Sequence, residues 1–195
     1  VPIDGSVRFN VGASRREAGR RSNESLYPVE LTKSFLIGET EITNAQYRQF
    51  RPQHNSGPGL DGERQPAVSI TWDEAARFLN WLSKKEKLVP AYREVGKRMV
   101  AKMPLTSGYR LPTEAEWVYA ARYIAGLRPA SDPLKFPWGA SMPPPKRSGN
   151  YADEMAASIV PISIKGYSDG FRKSSPVATF TANAYGVYDL GGNAA

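Results

Sequence analysis

The chain has 195 residues, of which 41% are hydrophobic and 23% charged, and its 26 Lys+Arg against 19 Asp+Glu give a net charge of +7. This is the composition of a folded globular protein, and no stretch approaches the roughly 20 apolar residues of a membrane span. The absence of cysteine excludes disulfides, thiolate nucleophiles and Cys/His zinc sites. The single histidine, His54, lies in a Gly/Pro/Asn loop without a hydrolase elbow, and we interpret it as a solvated loop residue.

The basic residues are spread over three segments, 13–24, 83–88 and 93–102, each interrupted by Glu and apolar residues. No aromatic residues are interleaved with them as in a typical nucleic-acid surface. We therefore interpret the charge as solvated surface and predict no nucleic-acid partner. A polyanion-binding surface, which salt-sensitive retention on heparin would reveal, is the weaker alternative.

Strand signals are few. The segment VRFNVG (7–12) is one short candidate, and SPVATF (175–180) is another. A longer candidate is VELTKSFLIGETEIT (29–43), in which apolar residues at 29, 31, 35 and 37 alternate with polar ones, as in a half-buried strand.

Three helix starts share the capping-box pattern, in which a Thr hydroxyl accepts from the amide three residues later while the side chain there bonds back to the cap amide. The pairs are Thr43 with Gln46, Thr71 with Glu74, and Thr113 with Glu116. We predict three helices from these boxes. The first is expected to be short, because Pro52 follows within a few residues.

The second and third helices each carry an apolar stripe at helical spacing. The stripes are Ala75, Phe78, Leu79 and Leu82, and Trp117, Ala120, Ala121 and Ile124. A row of tryptophans could serve as a stacking platform, but helical spacing favours packing. We therefore predict that Trp72, Trp81 and Trp117 belong to the core.

Two segments lack a regular pattern of this kind. Residues 122–175 show only turn chemistry, and so long a loop region in a folded domain predicts a stabilising element such as a bound ion. Residues 89–106 lie between the second and third helices, and we predict an extra helical or hairpin insertion there that carries partner specificity.

Six ordered segments are the most specific features of the sequence: FLIGETEITNAQYRQF (35–50), PAVSITWDEAARFLNWL (66–82), YRLPTEAEWVYAAR (109–122), FPWG (136–139), GNYAD (149–153) and NAYGVYDLGGN (183–193). Together they resemble the formylglycine-generating enzyme family, also called the sulfatase-modifying factor domain. The resemblance spans nearly the whole chain. It implies one α+β domain over residues 1–195, C-terminally incomplete and C-type-lectin-like, with three main helices, small twisted sheets and long irregular loops.

The enzymes of that family oxidise a sulfatase cysteine within a Cys-x-Pro-x-Arg sequence to formylglycine, using dioxygen and copper(I) held by two thiolates. Copper(I) selects such soft donors. In the family these cysteines follow the YDLGGN motif, so the resemblance implies copper only if a downstream cysteine segment exists, and we predict no catalytic residue within the 195. Iron-dependent sulfoxide synthases of a sister branch gather histidines, which disfavours that branch for a segment with one histidine.

The resemblance also implies two structural Ca²⁺ sites. In the first, the family pattern of an Asn with its following residue and an Asp-Gly-aromatic turn falls on Asn150, Tyr151, Asp169 and Phe171. Amide, carboxylate and carbonyl oxygens are the donors that this hard ion prefers. The alternative is that SDGF (168–171) is only a tight turn whose Asp accepts its own backbone amides.

The second implied calcium site uses the YDLGGN loop itself. The matching positions are Asp189, Gly192 and Ala194, and the family's further Glu would follow Ala195. Ala195 also stands where the family usually has a large aromatic residue. Lacking that second carboxylate, the site is expected to bind calcium more weakly.

Two functions follow from the resemblance. One is a calcium-stabilised, non-catalytic scaffold or binding module that presents loops to a protein or peptide partner. The other is the N-terminal portion of a copper-dependent formylglycine-generating oxidase. None of the matched residues is itself catalytic, so resemblance of fold and motif leaves both open. The resemblance favours an extracytoplasmic location, periplasmic or secreted.

Overall fold

The computed structural model describes residues 1–17, 19–123 and 134–194. Along the chain, the elements within these ranges are β1 (Pro2–Ile3), β2 (Val7–Val11), β3 (Tyr27–Leu31), β4 (Phe35–Leu36), α1 (Asn44–Arg48), α2 (Trp72–Lys85), β5 (Tyr92–Val95), β6 (Arg98–Ala101) and α3 (Glu114–Arg122). The strands pair as three two-stranded antiparallel sheets, β1–β4, β2–β3 and β5–β6. The predicted α+β class, with three helices, small sheets and long loops, is confirmed.

The described residues form two compact units, one comprising Val1–Glu41 with Pro112–Ala195 and the other Ile42–Leu111. None of the described helices is long and apolar enough to cross a membrane. The prediction of a single domain stays a prediction.

The core of the first unit lies between the β2–β3 hairpin and α3. Phe9 contacts the rings of Tyr119 and Tyr123 at centroid distances of 5.0 and 5.1 Å. The Tyr123 hydroxyl then bonds both the amide and the carbonyl of Asn10, at 3.2 and 2.9 Å. Each large side chain buried in this way contributes about 1.5–3 kcal/mol, so these contacts hold α3 against β2.

The capping boxes are present at all three helix starts, as predicted. Each Thr hydroxyl accepts from the third helical amide, and each Gln or Glu side chain accepts from the cap amide. α1 has only five residues and is followed by the turn at Pro52. The capping hydrogen bonds of each helix start therefore lie within four consecutive residues.

The prediction that the tryptophans belong to the core is wrong for two of them. Trp72 is 46% exposed and Trp117 is 42% exposed. Trp72 is the first residue of α2 and contacts Tyr92 only edge-on. α3 buries the side next to Trp117, through Val118, Tyr119, Ala120 and Ala121. Ile124, the last residue of the predicted stripe, lies outside the described residues.

The three predicted strand segments have different outcomes. The candidate at 7–12 is confirmed as β2, and the candidate at 29–43 is divided between β3 and β4, which pair with different partners. The candidate at 175–180 is wrong. The amides of Ser175 and Ala178 bond to the side chains of Asn193 and Asp189, and Ala178 has φ 57°, so this segment cannot join a strand ladder.

In the second unit the 89–106 insertion is a hairpin. β5 and β6 pair from Tyr92 opposite Ala101 to Val95 opposite Arg98. Buried Tyr92 and Met99 pack with Ala76 of α2. The long region after α3 forms neither helix nor strand between residues 134 and 175, in agreement with its lack of periodicity.

Candidate metal centre

Asp169 organises the first predicted calcium site. Its Oδ2 accepts from the Tyr151 amide at 2.8 Å, and its Oδ1 accepts from the Phe171 amide at 2.7 Å. Gly170 between them has φ 89°, a conformation that glycine adopts without strain. The structure thus brings Tyr151, Asp169 and Phe171 together, and it also contains the tight turn that was the alternative.

The other half of this site is a buried polar network around Asn150. Asn150 Nδ2 donates to the Lys173 carbonyl at 2.6 Å, and the Asn150 residue is buried. Asp153, fully buried, accepts from the Asp169 amide at 2.5 Å and from the amides of Met155 and Ala156. The sequence analysis missed Asp153, although it stands within the GNYAD segment.

Burial raises the pKa of Asp169, and the nearby charge of Asp153 raises it further, against the lowering effect of its two amide hydrogen bonds. The carboxylate is therefore held in a position that disfavours its charge. A bound cation would offset this penalty.

Asp189 lies in the second predicted site in a left-handed conformation, with φ 59°. Its Oδ2 accepts from the Ala178 amide at 2.9 Å, while its Oδ1 is buried without a hydrogen-bond partner. Burial raises the pKa of this carboxyl. A buried carboxylate oxygen without a partner normally costs more than 1 kcal/mol, so it calls for an explanation.

Glu41 is a second carboxylate here, and the sequence analysis did not assign it to the site. Its Oε1 is also buried without a partner, and its pKa is raised to about 7, first by burial and then by the negative charge of Asp189. A hydrogen bond from Asn193 Nδ2 to Oε2, at 3.3 Å, lowers the pKa, as do backbone hydrogen bonds from Glu41 itself and from Ala194. No local signal singled out Glu41, because Glu39 stands in the same FLIGETEIT segment (35–43) and is exposed.

The loop of residues 189–194, which we call the GGN loop, packs directly on the first site. A Cβ on Gly192 would lie 2.1 Å from the Asn150 carbonyl oxygen and 2.8 Å from the Tyr151 ring. The Asn193 amide donates to that same carbonyl at 3.0 Å. The two predicted sites are therefore neighbours that share the backbone of Asn150.

Asn193 fixes the end of the GGN loop. It has φ 67°, and its Oδ1 accepts from both the amide and the hydroxyl of Ser175, at 2.7 and 3.2 Å. The structure thus places Gly192 and Ala194 on a loop whose conformation is set by side-chain hydrogen bonds. The Gly192 carbonyl accepts from the Ala194 amide at 2.9 Å. That Gly192 and Ala194 bind calcium together with Asp189 stays a prediction.

Within residues 1–17, 19–123 and 134–194, no group of three or more His, Cys, Asp or Glu side chains could hold a metal. Each predicted site instead combines at most two carboxylates with amide and carbonyl oxygens. This composition suits a hard cation such as Ca²⁺ and is unsuited to copper, zinc or iron.

His54 and Ser56 are in hydrogen-bond contact within the second unit. His54 Nε2 lies 3.0 Å from Ser56 Oγ, but the serine is buried, donates to Asn44 Oδ1 at 2.6 Å and accepts from the Val68 amide at 3.0 Å. Burial, followed by the charge of Arg48, lowers the pKa of His54. The histidine is half-buried against Tyr47 rather than solvated, and the serine hydroxyl is not free to act as a nucleophile.

A cleft of about 450 Å³ lies away from both sites, beside β2 and the start of α3. Its charged lining is balanced, with Glu17, Glu24 and Glu114 against Arg20, Arg122 and Lys135. Arg122 is occupied by the Leu134 carbonyl at 2.6 Å and lies 3.9 Å from Glu17. The cleft holds none of the residues assigned above to a metal.

Residues 3–195 match the model of the sulfatase-modifying factor enzyme 1-like domain. The chain is 30% identical to the formylglycine-generating enzyme of Thermomonospora curvata over 70% of its length, and 29% identical to the chaperone protein LppX of Paenibacillus barcinonensis over 82%. It is also 31% identical, over 71% of its length, to the inactive C-alpha-formylglycine-generating enzyme 2 of Bos taurus.

The chain spans 35% of the Thermomonospora enzyme and 59% of LppX. Among solved structures it is similar to Treponema denticola variable protein 1, with a TM-score of 0.70 and 25% identity, over 98% of this chain and 69% of the other. PvdO from Pseudomonas aeruginosa has a TM-score of 0.62 at 26% identity, over 97% and 66% of the two chains. The predicted lectin-like character is consistent with these neighbours.

Proposed function

Because the chain belongs to the family of sulfatase-modifying factor enzyme 1-like domains, we propose that it is a calcium-stabilised, non-catalytic scaffold that presents binding surfaces to a protein or peptide partner. The proposal has two parts, a structural cation and a binding role, and they rest on different observations.

The cation rests on one observation, the paired unpartnered oxygens of Glu41 and Asp189. Both oxygens are buried, and each carboxyl has a raised pKa. Two desolvated negative charges destabilise the folded chain unless a positive charge offsets them. Glu41 and Asp189 would hold Ca²⁺ together with carbonyls of Gly192 and Ala194, and the ion would supply charge neutralisation and cross-linking.

The non-catalytic role rests on the donor chemistry of the 195 residues. None is cysteine, so they supply no thiolate pair for copper(I), and the only histidine is engaged in the second unit. Relatives whose names carry no oxidase activity, LppX and the inactive enzyme 2, are about as similar to this chain as the named enzymes are.

A second candidate is favoured by the 30% identity to formylglycine-generating enzymes. In that case the chain would be part of a copper-dependent oxidase that acts on a sulfatase cysteine, and the structure described here would supply the framework next to a separate cysteine segment. Formylglycine formation from a Cys-x-Pro-x-Arg peptide with copper distinguishes the two. Turnover by these 195 residues would contradict the non-catalytic role.

The calcium part is tested by melting the purified protein in a chelator and in increasing Ca²⁺. A ligand that binds only the folded state stabilises it by mass action, by about 2.7 kcal/mol at a concentration 100 times Kd. We expect a saturable rise in melting temperature with Ca²⁺ and heat of binding by titration calorimetry. An unchanged melting temperature across the titration would contradict the proposal.

A further inference from the structure

The positive charge of the chain is concentrated in the second unit. Residues 42–111 contain 12 Lys and Arg against 6 Asp and Glu, a net charge of +6 out of the total of +7. Within residues 84–102 there are 7 basic residues against Glu86 and Glu94. This segment, the end of α2 together with the β5–β6 hairpin, carries a net charge of +5, and the hairpin itself has three basic residues against one acidic residue.

One face of the hairpin is fixed to α2. The side chain of Asn80 bonds both the amide and the carbonyl of Tyr92, at 3.0 Å each. Asp73 accepts from the Met99 amide at 2.6 Å and from Arg98 Nε at 2.8 Å. With Tyr92 and Met99 buried beneath it, the hairpin is a rigid platform.

The opposite face is exposed and has a regular pattern. Because side chains alternate across a strand, Arg93 and Val95 of β5 share this face with Arg98 and Val100 of β6. The register sets an arginine opposite a valine in both pairs, Arg93 with Val100 and Arg98 with Val95. All four are exposed, the valines at 48% and 39%.

The acidic residues nearby are already engaged. Glu94 pairs with Arg77 at 2.7 Å, and Glu86 accepts from the Tyr109 hydroxyl at 2.6 Å. By contrast, Arg93 and the turn residue Lys97 make no ion pair within the described part of the chain. Their charge is therefore available to a partner.

We propose that the outer face of the β5–β6 hairpin docks an acidic segment of a protein partner in which carboxylates alternate with aliphatic side chains. Arg93 and Lys97 match the carboxylates, and Val95 and Val100 offer aliphatic contacts that a sugar-phosphate backbone does not use. The inference gives the chemistry of the partner and rests on the binding role proposed above.

The test uses a fluorescein-labelled peptide in which Glu and Val alternate, with fluorescence anisotropy as the readout of binding to the whole chain. We expect binding that weakens with salt, and loss of binding when Gln replaces every Glu of the peptide. The variant Arg93→Glu/Lys97→Glu should weaken binding by about tenfold or more, because like charges then face each other. The matched control Lys33→Glu/Lys165→Glu makes the same charge change at exposed sites away from the hairpin and should bind as the wild type does.

A second variant, Val95→Ser/Val100→Ser, separates docking from general attraction of anions. We expect weaker binding with an unchanged salt slope. Equal effects of the hairpin and control charge reversals, or no binding of the Glu/Val peptide, would overturn the inference. Tighter binding of single-stranded DNA or heparin, with no effect of the valine changes, would overturn it in favour of a polyanion surface. Calcium-dependent melting of the same proteins reports the cation separately, so failure here leaves that result intact.

Discussion

Glu41 and Asp189, both within the first unit, each keep one buried carboxylate oxygen that no described group satisfies, and the charge of Asp189 helps to raise the pKa of Glu41 to about 7. The folded chain thus holds two like charges near each other in a desolvated place. Such an arrangement is stable only if the charges are removed or neutralised.

Glu41→Gln gives a test in which the sign of the effect changes with calcium. In a chelator near pH 8 we expect the variant to be at least as stable as the wild type, because the repulsion by Asp189 is gone. In saturating Ca²⁺ we expect it to be less stable, because one ligand has lost its charge. Thermal melting in both buffers measures the two differences, and Glu39→Gln, the same substitution at an exposed acidic residue, serves as the control.

The pH dependence of the metal-free protein follows from the raised pKa of Glu41. Between its ordinary value of 4.5 and about 7 the folded state binds more protons than the unfolded state, so this group makes stability fall as pH rises through that window. His54 has a lowered pKa and acts in the opposite direction, losing stability as pH falls. We therefore expect the difference between wild type and Glu41→Gln, not the raw melting curve, to show the effect.

Calcium binding should show the same titration. The ion must displace the proton from Glu41, so we expect the apparent affinity to fall by up to about tenfold per pH unit below pH 7, with release of protons on binding. Calorimetry in buffers of different ionisation enthalpy measures that release. An affinity that is constant between about pH 5.5 and pH 8 would contradict the participation of Glu41.

Asp169 has a structural role that is separable from calcium. Asp169→Ala removes the acceptors of the Tyr151 and Phe171 amides, and we expect a loss of about 2 kcal/mol even in chelator, from denaturant unfolding. Asp169→Asn keeps one side-chain acceptor and should lose about half as much. If both variants also lose part of the calcium-induced stabilisation, Asp169 coordinates the ion in addition to accepting the hydrogen bonds of the turn. Wild-type stability of Asp169→Ala in chelator would contradict the observed turn.

Gly192 tests the contact between the two predicted sites. In Gly192→Ala the new methyl would meet the Asn150 carbonyl at 2.1 Å, a clash with backbone that side-chain movement cannot relieve. We expect a loss of about 2–4 kcal/mol and a weaker calcium response. Gly186→Ala is the control for an added methyl without a clash: its φ of 80° adds backbone strain that Gly192 lacks, but the methyl enters open space, and we expect a cost of only about 1 kcal/mol.

The sequence predicted what is local. Thr113 and Glu116 are three residues apart, and their reciprocal hydrogen bonds need no distant partner. The start of α3 could therefore be predicted from four consecutive residues. The alternation in 7–12 likewise gave β2. The turn at Asp169 was also foreseeable, because an Asp-Gly pair bonds its own backbone.

The errors concern residues whose environment is set from far along the chain. Ser175 and Ala178 have the composition of a strand, but Asn193 and Asp189 take their amides. Trp117 matches a helical stripe, yet the side of α3 that packs on Phe9 is the one that carries Tyr119. Glu41 was missed because nothing beside it in sequence reveals that Asp189 raises its pKa.

The hydrogen bond between Asn193 and Glu41 joins residues that are 152 positions apart. During synthesis from the N-terminus, Glu41 is made long before Asp189 and Asn193, so its carboxylate lacks these neighbours until they have been translated. Contacts of such sequence separation form late, because the intervening chain must first be ordered. We therefore expect the calcium site to form after the rest of the first unit has folded. Calcium should then mainly slow unfolding and change the folding rate little.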